Sequence, residues 1–410
     1  MKIQPIRGTH DLFGKDLLKY KKISEIVGNY ANLYDFQEII TPIFENTDLF
    51  KKPLGEYSDV VLKEMYTFKD RNDSFITLRP EHTTPILRAS ISNNFLVKLP
   101  KKLFGIGPVF RRERPQKGRY RQFNQINFEI LGTDNVIVDV ELIILANNIL
   151  KNLFPNKKII LEINSLGDRN TLNKFKLELT KYFQINKNSL SEESQSKIEK
   201  NSLRILDSKI EKDYEIKKNA PKISDFYSKL ASDNFSEVQK ILLENSVEFK
   251  INPSLVRGLD YYCHTVFEFK TNDLGAQDTL IGGGRYDGLV KSIGGPNISG
   301  VGWAGGIERI MMLMEDVILK ERKVYLVLMS ETFKSYGLKI ANELRGSNIK
   351  VTLDYKYNIK KSLSMANQLN FKYAIIIGEN EYINNLCTLK NLEKISQETN
   401  SIKNIIKIID

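Results

Sequence analysis

The sequence predicts an α+β protein of more than one domain, and three observations lead to this fold class. The chain has 410 residues, which exceeds what one hydrophobic core usually supports. In the first part, two apolar runs with strand-like alternation are joined by a loop that contains proline and glycine, a pattern typical of an antiparallel hairpin. The last part alternates strand and helix patterns, as α/β units do. We therefore expect an antiparallel sheet flanked by helices, followed by a separate α/β unit.

The elements of the first part follow from the spacing of apolar residues. A spacing of three to four residues predicts helices over 17–33 and 81–93. Short apolar or alternating runs predict strands over 36–43, 74–78, 103–113, 119–131 and 158–163. The strand over 36–43 is expected to end near Pro42, because proline cannot donate to a neighbouring strand.

A change of character near residue 168 marks the middle of the chain. Residues 168–248 are rich in Lys, Glu and Ser with helical apolar spacing, so we interpret them as a helical insertion. Strand-like sequence resumes over 255–270 and near 279–283, and 307–319 predicts a helix.

The last unit begins near residue 324. Its apolar runs over 325–329, 349–353 and 373–377 are separated by helical patterns, which predicts a small βαβαβ domain. The expected domains are therefore 1–323, interrupted by the insertion over 168–248, and 324–410.

Composition places the chain among ordinary globular proteins. It has 41% hydrophobic and 27% charged residues, and it contains no apolar run of roughly 18 residues that could span a membrane. Residues 1–14 lack the apolar stretch of an export signal, so we expect a cytoplasmic protein with no membrane partner. Cys263 and Cys387 stand far apart, which argues against a disulfide framework and a cysteine-rich zinc site. The three histidines lack metal-ligand spacing, and no metal site is expected.

The arginines are more informative than the net charge. A formal charge of +11 fits a nucleic-acid partner, but it fits a lysine-rich solvated surface equally well. Only 16 of the 61 basic residues are arginines, yet five of them fall within 111–121. The planar guanidinium suits phosphates and base edges, so a nucleotide or nucleic-acid site is predicted in this stretch.

Both strands of the predicted hairpin have one apolar and one chemically mixed face, because side chains alternate along a strand. The apolar faces carry Phe104, Ile106 and Phe110 on the first strand and Ile126, Phe128 and Ile130 on the second. The mixed faces carry Arg111 and Glu113 on the first strand and Phe123, Gln125 and Glu129 on the second. A merely solvated face would more typically carry Lys, Ser and Thr. The mixture indicates a nucleotide held beside an amine-bearing small molecule.

Five segments resemble the motifs of one enzyme family. FRRERPQKGRYRQFNQINFEILG (110–132) resembles motif 2 of the histidyl-tRNA synthetases, a class II aminoacyl-tRNA synthetase family. LVRGLDYY (255–262) and GGGRYDGL (282–289) resemble its two histidine-specific signatures. ITPIFENTDLF (40–50) and VGWAGGIERI (301–310) resemble class II motifs 1 and 3. Order and spacing hold over nearly the whole chain, and the resemblance is to the bacterial type.

The resemblance implies a function and an architecture. Members of the family activate L-histidine with ATP and Mg²⁺ and transfer it to histidine tRNA. They combine a class II catalytic domain, a helical insertion and a C-terminal α/β anticodon-binding domain, and motif 1 implies a homodimer.

The resemblance also implies which residues hold histidine. Glu81, Thr83 and Gln125 match positions that hold its amino group. Glu129 and Tyr262 match positions that contact the two imidazole nitrogens.

Further matches concern ATP. Arg111 and Arg257 match positions that contact the α-phosphate and the carboxylate and so carry the catalysis. Arg309 matches a contact to the outer phosphates, and Glu113 and Phe123 match contacts to adenine. Arg257 and Tyr262 differ by an odd number, so a regular strand would point them to opposite faces and we expect a turn near Gly258.

In the loop of the hairpin, Arg114 and Gln116 match positions that approach the extra 5′ guanosine of histidine tRNA. Two residues depart from the common pattern. His82 stands where many relatives carry Gly, which leaves its effect on the adjoining pocket open. Asn124 stands where many carry His, but it has the parity of the apolar face and should not contact substrate.

Other interpretations remain beside this one. A catalytically silent paralogue, such as the regulatory subunit of ATP phosphoribosyltransferase, shares the fold but typically lacks the C-terminal domain. A general nucleic-acid-binding module would not explain the carboxylates on the mixed face. The GxGxxG over 300–305 is not preceded by a convincing strand, so it does not predict a dinucleotide site. Cys263 and His264 would face opposite ways in a strand, so we interpret them as structural rather than as a nucleophile and its base.

Overall fold

The structure is a computed structural model that describes residues 3–55, 58, 60–318 and 321–409, and of residues 276 and 277 only the backbone. The chain divides into two compact units, with the change between Val317 and Ile318. The α+β fold class is confirmed: the first unit has a large, mainly antiparallel sheet, and the second has a smaller mixed sheet.

The strands are numbered in chain order. The first unit contains β1 (Gln37–Glu38), β2 (Phe44–Asn46), β3 (Tyr66–Lys69), β4 (Phe75–Leu78), β5 (Lys101–Phe110), β6 (Gln122–Leu131), β7 (Ile160–Ser165), β8 (Lys250–Ile251), β9 (Cys263–Lys270), β10 (Thr279–Arg285) and β11 (Gly300–Gly306). The second unit contains β12 (Lys323–Leu328), β13 (Lys350–Leu353), β14 (Tyr373–Ile377), β15 (Cys387–Asn391) and β16 (Ser396–Asn400).

The α-helices are numbered in the same way. The first unit contains α1 (Gly14–Leu33), α2 (Asp48–Leu54), α3 (Thr83–Ser92), α4 (Ile137–Leu153), α5 (Arg169–Ile185), α6 (Glu192–Gln195), α7 (Ile198–Asn201), α8 (Leu203–Leu206), α9 (Tyr214–Lys218), α10 (Lys229–Glu244), α11 (Leu289–Ser292) and α12 (Ile307–Leu313). The second unit contains α13 (Lys334–Gly346), α14 (Ile359–Gln368), α15 (Glu379–Ile383) and α16 (Ile402–Ile409).

An eight-stranded sheet forms the centre of the first unit, in the order β1-β5-β6-β11-β10-β9-β7-β8. Its inner pairs are antiparallel, while the short edge strands β1 and β8 pair in parallel. The apolar face of the hairpin packs into the main core as predicted. Phe128 lies against Phe104 and Trp303, with ring centroids 5.4 and 4.7 Å apart. The opposite face of β6 is left for the functional site.

The hairpin is the prediction that the structure follows most closely, although its strands are shorter than expected at the loop. Strand β5 ends at Phe110 and β6 begins at Gln122. Beyond them, Arg111 N donates to Arg121 O at 2.9 Å and Arg121 N donates to Gly8 O at 2.7 Å. The N-terminal segment thus pairs with the chain at Arg121 in place of a longer β5. The connection between β5 and β6 therefore extends beyond the predicted 114–118.

Two other strand predictions were wrong in extent. Over 36–43 only β1 forms, because the carbonyls of Thr41 and Pro42 accept from the buried Arg79 guanidinium at 2.7 and 3.3 Å instead of from a strand. Over 255–270 only β9 forms. Before β9, the side-chain amide of Asn164 donates a hydrogen bond to the Leu255 carbonyl at 3.0 Å. The chain then bends and turns between Gly258 and Tyr261.

The predicted helix over 307–319 is α12 and ends at Leu313. Its C-cap, Met314, is extended, and the Met314 carbonyl accepts from Lys19 Nζ at 3.0 Å. Residues 319 and 320 lie outside the described part of the chain.

Helices α5 to α10 occupy the segment predicted to be helical. Its two long helices begin side by side. Asp168 caps α5 by accepting from Thr171 N at 2.8 Å, Ser228 caps α10 by accepting from Ala231 N at 3.1 Å, and the Ser228 hydroxyl donates to Asp168 at 2.5 Å. This shared start joins the two ends of the insertion.

The second unit contains the predicted βαβαβ arrangement, with β12 paired in parallel to both β13 and β14. Two further strands, β15 and β16, extend this sheet antiparallel. Neither strand was predicted from the sequence, and β16 is an exposed strand without apolar alternation. Within the described residues of the chain, no helix has the length and apolar character that crossing a membrane requires.

Candidate active site

A cavity of about 400 Å³ opens on the mixed face of β6. Its walls come from β6, the first turn of α3, the hairpin loop, the segment before β9, β10, the junction of β11 with α12, and the insertion. Nine of the residues selected from the sequence line it: Glu81, Thr83, Arg111, Glu113, Phe123, Gln125, Arg257, Tyr262 and Arg309.

Glu81 and Thr83 form a buried acidic wall at the start of α3. The Glu81 carboxylate accepts from Thr83 N at 2.6 Å and from Thr84 N at 2.9 Å, so it caps the helix whose N-terminus faces the cavity. Thr83 Oγ1 donates to Glu129 Oε1 at 2.6 Å. Burial raises the pKa of both carboxyls, that of Glu129 to about 8.

Gln125 and Tyr262 present polar atoms to the cavity beside this wall. Gln125 Oε1 is buried and has no hydrogen-bond partner among the described residues. A buried acceptor without a partner costs about 1–3 kcal/mol, a penalty that a bound amine or water would remove. Tyr262 is 8% exposed and packs against Tyr261, with ring centroids 4.5 Å apart.

Arg257 lies on the floor of the cavity, against β10 and the Tyr262 ring. Its guanidinium pairs with Glu268 and its Cζ lies 5.8 Å from the centre of the Tyr262 ring. Burial alone would lower the pKa of Arg257, but the Glu268 carboxylate raises it above its usual value, so the side chain is a fixed cation. Gly282 permits this position, because a Cβ there would overlap the guanidinium.

A second group of residues forms a cationic wall. Arg111 donates through Nε to Pro80 O at 2.8 Å, and its Cζ lies 5.6 Å from the centre of the Phe123 ring. Arg309 donates to Gly118 O at 3.1 Å and to Thr279 O at 2.9 Å. Burial lowers the pKa of Arg309, and the neighbouring charges of Arg119 and Arg111 lower it further. This mutual repulsion is what an anion between the guanidiniums would relieve.

Glu113 lies next to the cationic wall and accepts from Arg119 Nε at 2.8 Å. With the Phe123 ring it supplies an aromatic surface and a carboxylate, which are suited to a base with an exocyclic amine. The regular strand ends before both Arg111 and Glu113, yet both line the cavity as strand parity predicted.

Three selected residues do not line the cavity. Glu129 lies directly behind Thr83, where its oxygens accept from the Thr83 and Tyr286 hydroxyls. Arg114 and Gln116 are exposed in the hairpin loop, where Gln116 pairs with Arg119 around a turn at Gly118.

The structure places the two unusual residues away from the cavity walls. His82 is buried, and its Nε2 lies 3.1 Å from Gly107 O in β5. Burial and then the Arg79 charge lower its pKa to about 3, so the ring is neutral. Asn124 donates to Glu308 of α12 through its N and Nδ2, each at 2.9 Å, and it does not line the cavity.

Sequence reasoning missed several residues at the site. Arg204 and Asp207 come from the insertion and line the cavity, although nothing in their local pattern separates them from the surrounding charged residues. Arg204 donates to the carbonyl of Gly258, in the bend that separates Arg257 from Tyr262. Tyr286 lies in a quoted signature, but its contact with Glu129 depends on β10 and β6 both flanking β11.

The expectation that Cys263 and His264 face opposite ways was wrong, because the strand is not regular here. His264 has a φ of 45°, and the register between β9 and β10 shifts where Arg285 pairs with Cys263. This bulge turns both side chains toward Asp287, and the ligating atoms of the three residues lie within 4.8 Å of one another.

The chain matches known proteins over its full length. Residues 8–310 match a sequence model of histidyl-tRNA synthetase, and residues 323–410 match one of an anticodon-binding domain. A histidine–tRNA ligase of Wolbachia pipientis wMel is 46% identical over 406 residues, 98% of this chain and 99% of the relative. One of Ehrlichia chaffeensis is 46% identical over 398 residues, 97% of this chain and 95% of the relative. The crystal structure of apo S. aureus histidyl-tRNA synthetase has a TM-score of 0.81 at 32% identity and 100% coverage of both chains. The resemblance of the motifs is thereby confirmed, and the chain belongs to the histidyl-tRNA synthetase family.

Proposed function

We propose that this chain ligates L-histidine to histidine tRNA. It activates histidine with ATP to histidyl-adenylate, releasing pyrophosphate, and transfers the histidyl group to the 3′ end of the tRNA, releasing AMP. The observation that carries the proposal is one cavity in which amine- and imidazole-binding groups adjoin the partly buried guanidiniums of Arg111, Arg257 and Arg309. Family membership and the full-length identity to histidine–tRNA ligases support it.

Histidine binds between α3 and the segment before β9. Glu81, Thr83 and Gln125 hold the ammonium group, for which the unpartnered Gln125 Oε1 is directly available. Tyr262 contacts one imidazole nitrogen, and Glu129 is the partner of the other. The Glu129 carboxyl accepts hydrogen bonds from the hydroxyls of Thr83 and Tyr286. For Glu129 to contact the imidazole ring directly, one of these two hydrogen bonds has to break. A site that hydrogen-bonds both ring nitrogens leaves buried groups unpaired with other amino acids, which can give discrimination of about 10⁴.

ATP binds along the cationic wall. Phe123 and Glu113 hold adenine, Arg111 and Arg257 hold the α-phosphate and the histidine carboxylate, and Arg309 holds the outer phosphates. A Mg²⁺ ion accompanying ATP would neutralise part of the phosphate charge, and we assign it no protein ligand.

The reaction needs no protein nucleophile. The histidine carboxylate attacks the α-phosphorus, the bond to the bridging oxygen breaks, and pyrophosphate leaves with the electron pair. A ribose hydroxyl of the tRNA then attacks the carbonyl of the adenylate and AMP leaves. The protein aligns the two substrates and neutralises the charge that develops on phosphorus, for which the fixed Arg111 and Arg257 are suited.

The tRNA contacts divide between the two units. Exposed Arg114 and Gln116 approach the 5′ guanosine, and residues 324–410, with 12 basic against 8 acidic residues, read the anticodon. We retain the division into residues 1–323, with 168–248 inserted, and 324–410. Since the substrates are those of protein synthesis, we assign the chain to the cytoplasm.

We also propose a homodimer. The motif 1 region and the adjoining sheet β2-β4-β3 expose Ile40, Phe44, Phe68 and Phe75 at 82, 57, 47 and 49%. Apolar side chains at such density commonly mark an interface. Light scattering coupled to size exclusion tests this: twice the 47.2 kDa chain mass is expected, and a monomer at micromolar concentration would contradict it.

The proposed function is tested by ATP–pyrophosphate exchange with each amino acid in turn. Histidine-dependent exchange is expected, and its absence in folded protein would refute the ligase. The silent paralogue is the second candidate, but Glu113, Arg257 and Arg309 are all in place around the cavity and the C-terminal domain is present.

A further inference from the structure

Cys263, His264 and Asp287 form a cluster of three metal-ligating side chains outside the active-site cavity. A thiol sulfur, an imidazole nitrogen and a carboxylate oxygen lie within 4.8 Å of one another, and none of the three residues lines that cavity. Within the described residues this is the one group of at least three such side chains with this spacing.

The backbone is bent in a way that creates the cluster. His264 has a φ of 45°, a conformation that residues other than glycine adopt uncommonly. It is held there because His264 N donates to Gly167 O at 2.8 Å and Leu166 N donates to His264 O at 2.7 Å. Bulges of this kind commonly re-aim a side chain next to a functional site.

The three ligands are oriented, and one of them lacks a partner. His264 Nδ1 is buried without a hydrogen-bond partner among the described residues. Asp287 N donates to Cys263 Sγ at 3.2 Å, and Gly300 N donates to Asp287 Oδ1 at 3.3 Å. Contacts of this sort orient the ligands of protein metal sites.

The surrounding charges leave room for a dication. Arg285 contacts Asp287 and is paired with the buried Asp139, so the charges of Arg285 and Asp139 cancel. Arg285 Nη1 also lies 3.5 Å from Asp287 Oδ1, so Asp287 is ion-paired as a carboxylate. A Cys263 thiolate and the Asp287 carboxylate then supply two negative charges, which balance one divalent metal ion.

We propose that Cys263, His264 and Asp287 bind a divalent transition-metal ion of the zinc class, with water as a fourth ligand. Sulfur, nitrogen and oxygen donors together select zinc-like ions over Mg²⁺ or Ca²⁺. Bond lengths of about 2.0–2.3 Å place tetrahedral ligand atoms about 3.3–3.6 Å apart. Because the ligating atoms lie within 4.8 Å of one another, they would reach a bound metal after displacements of about 1 Å.

The position of this site connects it to the histidine pocket. Cys263 follows Tyr262, and Asp287 follows Tyr286, whose hydroxyl donates to Glu129. A metal ion would tie together the two segments that carry these tyrosines. This consequence rests on the proposed function, whereas the metal site itself does not.

Cobalt is the probe, because a thiolate bound to Co²⁺ absorbs in the near ultraviolet and tetrahedral Co²⁺ gives visible d–d bands. The full chain, treated with a chelator and then dialysed, is titrated with Co²⁺ and afterwards with Zn²⁺. We expect both absorptions to saturate at one Co²⁺ per chain and to disappear as Zn²⁺ replaces it. Absence of the thiolate band in the native chain overturns the proposal.

The only other cysteine provides the matched control. Cys387→Ser lies in the other unit and should leave the spectrum unchanged, while Cys263→Ser should abolish the near-ultraviolet band. His264→Asn keeps a residue that tolerates positive φ, and it should weaken Co²⁺ binding at least tenfold.

Zn²⁺ should raise the unfolding temperature of the native chain and of Cys387→Ser by mass action, but not that of Cys263→Ser. If Cys263→Ser keeps the spectrum, or if both serine variants lose it, the assignment is wrong. Pyrophosphate exchange is measured separately, so a failure of the ligase proposal would not be confused with a failure of the metal site.

Discussion

Thr83 Oγ1 donates a hydrogen bond of 2.6 Å to Glu129 Oε1, and both side chains are at least 94% buried. The threonine begins α3 and lines the cavity, while the glutamate belongs to β6 and lies behind it. A ligand in the cavity therefore meets the Thr83 hydroxyl first, with the Glu129 carboxyl behind it. This relation makes the polarity of the histidine pocket depend on two residues rather than on one.

Thr83→Val should separate the hydroxyl from the shape of the side chain. Loss of the Thr83 hydroxyl removes one hydrogen-bond donor from Glu129 Oε1. We therefore expect the free energy of unfolding to fall by about 1–3 kcal/mol and the KM for histidine to rise. Thr83→Ser, which keeps the hydroxyl, should remain close to the native chain. Urea unfolding and exchange kinetics measure the two effects, and equal behaviour of Val and Ser would exclude a role for the hydroxyl.

The raised pKa of Glu129 predicts a pH-dependent stability. Burial raises this pKa from the ordinary value of a glutamate to about 8, so the folded state holds the proton more tightly than the unfolded state. The stability is present below about pH 4.5 and is lost as the pH rises toward 8. Glu129→Gln cannot lose a proton, so the native chain should lose stability relative to it between pH 5.5 and 8.5. Urea unfolding without ligands measures the difference, and parallel pH profiles would contradict the shift.

Arg257→Ala tests the fixed cation on the floor of the cavity. Removing a preorganised charge from a developing oxyanion typically costs about 10²–10³ in rate, so pyrophosphate exchange should slow by that factor while the protein stays folded. Arg345→Ala, an exposed arginine of the second unit, is the control and should be unaffected. Near-normal turnover of Arg257→Ala would refute the assigned role.

Arg204→Ala tests whether the insertion positions the histidine pocket. Arg204 donates to Gly258 O, and Asn201 of the same segment donates to Asp260 at 2.9 Å. Loss of a charged donor should loosen the bend between Arg257 and Tyr262, so we expect the KM for histidine to rise roughly tenfold or more with a smaller change in kcat. Arg204→Lys should restore part of the loss, and exposed Lys200→Ala should change nothing. A fall in kcat alone would show that Arg204 does not act through this pocket.

Gln116→Ala tests the hairpin loop. The residue is exposed and outside the cavity, so its loss should weaken aminoacylation of tRNA much more than pyrophosphate exchange. Neighbouring Lys117→Ala serves as the comparison for a general loss of positive charge. Equal losses in both assays would show that Gln116 does not contact tRNA.

The sequence by itself determined the features that depend on periodicity. The alternation in 119–131 assigned Phe128 to the core and Gln125 to the opposite face, and α1 and the βαβαβ order followed from spacing alone. The mixed face of one hairpin carries four of the nine selected residues that line the cavity, Arg111, Glu113, Phe123 and Gln125, so this part of the site could be selected from alternation alone. The ordered motifs added Arg257 and Tyr262, which lie far away in the chain.

Only the tertiary structure decided where backbone groups are satisfied by distant side chains. Arg79 donates hydrogen bonds to the carbonyls that follow β1, and Arg204 donates one to the carbonyl of Gly258. The segments after β1 and before β9 therefore do not form strands. The bulge at His264 depends on bonds to Leu166 and Gly167, and local parity could not predict it. The depth of Glu129 behind Thr83, and the entry of Arg204 and Asp207 into the cavity, depend equally on contacts between distant parts of the chain. Periodicity specifies which face of an element is apolar, whereas these contacts specify what the other face meets.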